Sequence, residues 1–139
     1  MNFNIKVNES AISRLVAGFT KDLAVKTDKA IAEAAIKQRN SIRARTLRGK
    51  GLKGAFAKYT PEYANYRSSK GRGRKPNLSF SGQMLGSMIT VNGKGYAKIK
   101  FSRLSEAIKA SGNQRKRPFF GITQDEKKDL TRFIRGRLK

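Results

Sequence analysis

The sequence contains no cysteine and no histidine. Without cysteine there can be no disulfide framework and no thiolate metal site, and such a composition suits a reducing compartment. Without histidine the chain lacks the commonest metal ligand and the commonest general base near neutral pH. We therefore expect no metal ion in this protein.

Acidic residues are also scarce, with 9 Asp and Glu against 32 Lys and Arg. Asp125, Glu126 and Asp129 cluster, but in the first turn of a predicted helix, where carboxylates favourably meet the helix dipole. No Ser, Thr or Tyr has a His or a paired acid in a setting that would activate it. The Gly/Lys and Gly/Arg phrases lack the G-x-x-x-x-G-K-[ST] spacing of a phosphate-binding loop. The sequence therefore predicts no enzyme activity, no catalytic residue and no cofactor.

Long apolar runs are missing as well. A membrane span needs ~18–20 consecutive apolar residues, and no segment approaches that length. The first residues also lack the apolar core of a secretory signal. We expect a single soluble domain, residues 1–139, assembled in the cytoplasm and without a membrane partner.

What the chain has in excess is positive charge, with a formal net charge of +23. The excess is uneven: residues 37–75 carry 13 basic groups and one acidic group, whereas residues 1–36 carry 5 and 4. Such an excess repels itself and favours a polyanion or an acidic protein surface as a neighbour.

The apolar pattern predicts an α+β fold, with a long N-terminal helix packed on a small antiparallel sheet, a basic extended loop and a C-terminal helix. The long helix spans 9–46, with a bend or break at Gly18 or Thr27 left open. At 1.5 Å per residue it is roughly 55 Å long, enough to reach a neighbouring subunit. The sheet comes from 2–7, 88–92 and 95–101, with Asn92-Gly93 as the hairpin turn.

The remaining elements are shorter. Ser79 or Ser81 caps a short helix, whose Met84, Leu85 and Met88 belong either to the core or to a subunit seam. Residues 102–110 form a short helix or ordered loop, 111–117 a basic loop, and 125–138 the last helix.

Residues 46–77 form a basic, glycine-rich arm, which we expect to be ordered mainly by a neighbour because such a composition buries little apolar area. Within it, Thr60-Pro61 starts a helix over about 61–69. Basic groups and tyrosines together suit nucleic acid, through phosphate contacts and stacking. In the alternative interpretation the tyrosines are the buried face of the helix and the charges are solvated. The candidate contacts to a partner or to nucleic acid are Arg48, Lys50, Lys53, Tyr59, Tyr63, Tyr66, Arg67, Lys70, Arg72, Arg74 and Lys75.

A rigid aromatic turn precedes the last helix and consists of Arg117, Pro118, Phe119, Phe120 and Gly121. Proline fixes one backbone angle and glycine permits a tight turn. Thr123 and Glu126 then match the S/T-x-x-E capping box. We interpret the turn as a structural anchor for the helix, with at least one phenylalanine in the core and the other either core or interface anchor.

Three phrases, in this order, resemble the virion morphogenesis (tail completion) family of tailed bacteriophages. They are the aromatic-Thr-Pro segment at 59–63, a Leu-x-x-[ST]-Gly-x-[ML]-x-x-[SM] phrase at 78–88, and Arg-Pro-Phe-[LF]-Gly-[IL] at 117–122 with Asp125 after it. Many relatives place a His-Gln-x-Gly-like segment before the third phrase, whereas this chain has 105–114 there and no His.

The resemblance implies a structural virion protein without enzyme activity, located in the tail or neck. It implies a homo-oligomer, a hexameric ring at the head–tail junction, with neighbouring tail or neck proteins as partners and DNA contact as a further one. An alternative of another class is a nonspecific nucleic-acid-binding protein, for packaging or associated with the ribosome.

Overall fold

The computed structural model describes residues 5–6 and 21–139. The elements in chain order are β1 (Ile5–Lys6), α1 (Lys21–Leu47), β2 (Lys50–Gly51), β3 (Gly54–Ala55), α2 (Pro61–Ser69), α3 (Gln83–Gly86), β4 (Met88–Gly93), β5 (Tyr96–Phe101), α4 (Leu104–Lys116) and α5 (Gln124–Arg137). The α+β class predicted from the apolar pattern is confirmed.

The main sheet has the order β1-β5-β4 and is antiparallel throughout. Ala97, Ile99 and Phe101 of β5 are buried at every second position, as the period of a strand requires. Helix α1 packs across β4 and β5, and α5 packs against α1. The core therefore lies between one face of the sheet and these two helices.

Helix α1 is continuous through Thr27, which is fully buried, so the alternative of a break there is wrong. Small side chains at helical spacing, Ala30, Ala34 and Ala35, let the helix lie close to the sheet. The predicted start of this helix, residues 9–20 with Gly18, lies outside the described residues. The same holds for the predicted strand 2–7 except at 5–6.

The hairpin between β4 and β5 turns two residues later than predicted. Gly93 pairs with Tyr96, which leaves Lys94 and Gly95 as the loop. Gly95 takes the positive φ, +74°, that such a turn needs. Gly93 has a different role, because a Cβ there would lie 2.3 Å from the Tyr96 ring.

Helix α3 begins at Gln83 after Gly82, whose φ is +82°. Neither Ser79 nor Ser81 is the capping residue that was predicted, although the Ser81 hydroxyl accepts a hydrogen bond from the Gln83 amide. Its side chains Met84 and Leu85 are buried in the core, as is Met88 at the start of β4. These three residues therefore belong to the core and not to a subunit seam.

Arg43 holds α3 against α1. Its guanidinium donates to the carbonyl oxygens of Leu85 (2.8 Å) and Met88 (2.9 Å). Burial lowers the pKa of Arg43, and repulsion from Arg39 lowers it further.

Helix α4 runs to Lys116, so the predicted basic loop at 111–117 is wrong. The tertiary structure extends the helix through Gln114, whose side-chain oxygen accepts from the amides of both Phe119 and Phe120 at 3.0 Å. Its amide also donates to the Phe120 carbonyl. These bonds tie the end of the helix to the turn that follows it.

Helix α5 begins as predicted. The Thr123 hydroxyl accepts from the Glu126 amide, and the Glu126 carboxylate accepts from the Thr123 amide, which completes the capping box. Leu130 and Ile134 are buried against the core. In the described part of the chain, no helix is both long and apolar enough to cross a lipid bilayer.

Candidate interaction cleft

The segment predicted to be an arm ordered mainly by a neighbour makes specific contacts with its own chain. The small hairpin of β2 and β3 is tied to the aromatic turn, because the Leu52 amide donates to the Pro118 carbonyl at 2.8 Å. Gly51 permits this approach, since a Cβ there would lie 2.2 Å from the Pro118 oxygen. Composition alone could not show this contact, because its partner lies far away in the sequence.

Helix α2 orders the glycine-rich part of the segment through Arg67. The Arg67 side chain is 1% exposed. Its guanidinium donates to the Gly73 carbonyl (2.7 Å), the Asn77 side-chain oxygen (3.2 Å) and the Ser79 carbonyl (3.0 Å). Arg67 was predicted as a contact to a partner, but its burial removes it from the exposed surface.

Three aromatic rings surround the same guanidinium. Its central carbon lies 5.1 Å from the ring centroid of Tyr59, 5.9 Å from that of Tyr63 and 5.8 Å from that of Phe80. Arginine suits such a position because its planar cation is weakly hydrated and stacks on aromatic faces. The buried side of α2 therefore consists of Ala64 and Arg67.

The tyrosines are not the buried face of α2, so that interpretation is wrong. Tyr66 is 50% exposed and stacks on Phe80, with centroids 5.8 Å apart and planes 9° apart. Tyr63 is also exposed. Tyr59 is half-buried, and its hydroxyl accepts from the Leu78 amide at 3.1 Å.

These aromatic residues form one wall of a cleft of about 590 Å³, and α4 forms the other. The aromatic wall comprises Tyr59, Tyr63 and Phe80, and Arg67 also contributes to the lining. The basic side chains that line the cleft, opposite or beside this wall, are Lys109, Lys116 and Arg117.

The charge around the cleft is positive on balance. Glu106 is buried in its lining, and one carboxylate oxygen accepts from Lys109 at 3.1 Å. The other carboxylate oxygen has no hydrogen-bond partner among the described residues. Glu106 thus offsets Lys109, while three further cations line the same space.

The other predicted contacts are distributed around this region. Arg72 lies over the Phe80 ring at 5.5 Å and Lys70 lies 5.9 Å from the Tyr66 ring. Lys75 passes over Gly49, where a Cβ would lie 2.8 Å from the Lys75 side chain. The remaining predicted contacts are exposed side chains: Arg48, Lys50, Lys53 and Arg74.

The aromatic turn contacts both the cleft and the core. The Arg117 guanidinium donates to the carbonyls of Ala57 (2.8 Å) and Lys58 (2.9 Å) and lies 4.7 Å from the Tyr59 centroid. Phe119 and Phe120 are both buried in the core. Neither ring is therefore exposed as an interface anchor.

The far end of the turn is held by α1 and α5. Arg45 donates to the carbonyls of Phe119 (2.6 Å) and Gly121 (2.8 Å) and pairs with Glu126 at 3.0 Å. Gly121 allows close packing, because a Cβ there would lie 2.6 Å from Leu52.

Sequence reasoning missed several residues of this region: Phe80, Glu106, Lys109, Lys116 and Arg45. Glu106 and Lys109 have the i, i+3 spacing of a helical ion pair, and recognising α4 would have identified them. For Arg45, one basic residue among many in 37–75, no sequence signal distinguishes burial from exposure.

A second groove, about 670 Å³, runs along α5 and is bordered by Lys128, Arg132 and Gly136 among others. It has no aromatic wall. Within the residues that the structure describes, no cluster of acidic side chains could hold a metal ion.

Comparison with known proteins finds no family model, no curated protein and no solved structure that matches this chain.

Proposed function

We propose that this protein is a structural component of a tailed-phage virion, without enzyme activity, which completes the tail or neck as a ring at the head–tail junction. The proposal starts from the three ordered phrases at 59–63, 78–88 and 117–122. One observation carries it further: all three phrases meet at Tyr59.

The contacts at Tyr59 come from distant parts of the chain. The Leu78 amide of the second phrase donates to the Tyr59 hydroxyl, and Arg117 of the third phrase lies over the Tyr59 ring. Arg117 also binds the two carbonyls that precede Tyr59. Residues that pack together constrain which side chains each position can hold. This supports treating the three phrases as a single family signature.

The charge distribution supports a role in assembly. Lys70, Arg72 and Arg74 are exposed on the loop after α2, on a chain with a net charge of +23. A surface of one sign steers association with an acidic neighbour and prevents like-charged wrong partners from binding. In a neck or tail, that neighbour is an acidic protein surface or DNA.

The test is to delete the gene from its phage and examine lysates by electron microscopy. We expect DNA-filled heads and finished tails to accumulate separately, or tails to form that cannot attach. A plasmid copy of the gene should restore joined particles. Infectious tailed particles from the deletion would refute the proposal.

The ring is tested separately, by mass photometry in nuclease-treated, high-salt buffer, alone and with tail proteins. A ring component forms an oligomer in one of these mixtures. A protein that stays monomeric in both contradicts the ring.

A nonspecific nucleic-acid-binding protein is the second candidate, favoured by the exposed cations on the loop after α2. Neutralising Arg72, Arg74 and Lys75 together separates the two, with Arg67 left intact because it is buried. Loss of head–tail joining with an intact fold supports the junction role. Normal joining with loss of only DNA affinity, and a steep salt dependence in the parent protein, supports the nucleic-acid role.

A further inference from the structure

Arg67 is a buried cation without an acidic partner in the part of the chain that the structure describes. None of the ion pairs among the described residues includes it. Its hydrogen-bond acceptors are two backbone carbonyls and one side-chain amide, all neutral, and the surrounding rings are neutral too. Buried charges in proteins are usually paired, because desolvation of an isolated charge is costly. The position of Arg67 in the lining of a cleft indicates where a counter-charge can come from.

The cleft lining adds to this positive charge. Arg117 donates to backbone carbonyls and not to a carboxylate, and Lys116 is exposed. Lys109 is offset by Glu106. An anion in the cleft would thus meet Arg117 and Lys116 directly and would lie in the field of the buried Arg67, while the one carboxylate in the described lining, Glu106, is buried and paired with Lys109.

The aromatic wall argues against a stacked nucleobase as the occupant. Tyr59 already has Arg67 at 5.1 Å and Arg117 at 4.7 Å from its centroid. Phe80 has Tyr66 stacked on it and Arg67 and Arg72 near it. Because cations and a neighbouring ring already occupy these faces, a base would have to displace them to stack.

The size of the cleft and the composition of the chain further limit the kind of molecule that can occupy the cleft. About 590 Å³ lies within the range of pockets that hold a side chain or small ligand, and is far too small for a duplex. A second copy of this chain is a poor source of anions, with 9 acidic residues in all. Of those described, Glu33, Glu106, Glu126 and Asp129 are already paired with basic residues.

We infer that this cleft is a docking site for an acidic segment of a different protein. One apolar side chain of that segment enters between the aromatic wall and α4, and its flanking carboxylates pair with Lys116 and Arg117, in the positive field of the buried Arg67. The inference rests on the proposed function for the source of the segment, a neighbouring virion protein. Its chemistry follows from the cleft itself.

A steric test uses Gly112, which lines the cleft in the middle of α4. A Cβ at Gly112 meets nothing within 4 Å, so a side chain can be introduced there, and Gly112→Phe is designed to obstruct the cleft. Gly136→Phe is the matched control, because Gly136 lies within α5, away from the cleft, and its Cβ also meets nothing within 4 Å. The probe is a short fluorescein-labelled peptide of glutamates with one central leucine, and binding is followed by fluorescence anisotropy.

We expect the peptide to bind the parent protein and Gly136→Phe equally, and to bind Gly112→Phe at least about tenfold more weakly, a difference of ~1.4 kcal/mol. Circular dichroism checks that both variants fold. Equal binding by the two variants, or no binding to the parent protein, overturns the inference.

A charge test uses Lys116→Glu, with Lys128→Glu on α5 as the control for the change in net charge. Binding of the peptide should weaken about tenfold in the first and less than about threefold in the second. A labelled single-stranded oligothymidine is the competing probe. If it binds more tightly than the peptide and loses affinity in Gly112→Phe, the cleft takes nucleic acid and the inference is wrong.

The outcome separates this inference from the proposed function. If the gene deletion abolishes joining but a phage carrying Gly112→Phe joins heads and tails normally, the junction role stands and the cleft is not the docking site. If the deletion has no effect on particles while the peptide binds in the cleft, the docking chemistry stands and its source is not a virion neighbour.

Discussion

Two buried arginines, Arg45 and Arg67, hold two different regions of the molecule together. Arg45 joins α1 to the aromatic turn and meets the carboxylate of Glu126 as well as two carbonyls. Arg67 joins α2 to the loop after it and meets only neutral oxygens and rings.

The two sites differ in whether a carboxylate balances the charge of the arginine. At the turn the cation and the carboxylate cancel, and the site is complete within the chain. At the cleft the cation remains uncompensated beside a cavity lined by further basic groups. The same residue type is thus balanced by a carboxylate in one region and held by neutral groups in the other.

The largest loss of stability should come from truncating a core side chain beside the aromatic turn. Phe119 is fully buried, and truncation to alanine is expected to destabilise the protein by ~3–5 kcal/mol, comparable with the stability of a small domain. Chemical denaturation measures this, with Lys116→Ala as a control that leaves stability unchanged. A Phe119→Ala protein of normal stability that fails to assemble would place the turn at an interface.

The second-largest loss of stability should come from breaking the ion pair at the aromatic turn. Arg45→Met leaves the Glu126 carboxylate without its cation in a largely buried place, and should cost about 3 kcal/mol. Because Glu126 also caps α5, the double variant Arg45→Met with Glu126→Gln should lose less than the sum of the two single variants. Additive losses in this double-mutant cycle would show that the pair is not coupled.

Arg67→Met should cost less overall, about 1 kcal/mol, because an apolar side chain of similar length replaces a charge that has no acidic partner among the described residues. The local effect should be larger, since the loop after α2 loses its hydrogen bonds to this guanidinium. Limited proteolysis near Arg72 should become faster than in the parent protein. An unchanged cleavage rate would mean that Arg67 does not order this loop.

The smallest loss of stability is expected at Tyr66, an exposed ring beside the aromatic wall. Tyr66→Ala removes a ring that is half exposed and stacked on Phe80, so the loss of stability should be about 0.5 kcal/mol, the low end for an aromatic pair. Chemical denaturation and peptide affinity, both measured on this variant, show whether the ring contributes to the stability of the fold or to binding in the cleft. A stability loss above that of Arg67→Met would contradict this order.

Much of the fold could be predicted because the signals are local. The alternation of Ala97, Ile99 and Phe101 determines which face of β5 is buried, and Thr123 with Glu126 marks the start of α5. Thr60 and Pro61 likewise mark the start of α2. Each of these signals acts within a few residues, so the sequence carries it completely.

The predictions for the end of α4 and for the β4–β5 hairpin were wrong for a common physical reason. Helix α4 continues past Ala110 because Gln114 bonds the turn, and the hairpin closes at Gly95 because Gly93 lies under the Tyr96 ring. In both places a side chain or a close contact selects one of two conformations that the local sequence allows.

The features of the candidate site likewise divide into those that the sequence determines and those that depend on the tertiary structure. The sequence by itself determined that residues 46–77 are basic and aromatic, that Tyr63 and Tyr66 lie in one helix and that positive charge dominates. Only the tertiary structure decided that Arg67 is buried, that Phe80 and α4 complete a cleft, and that Arg117 closes over Tyr59. Burial of a charge depends on which distant oxygens and rings surround it, and no local pattern encodes that.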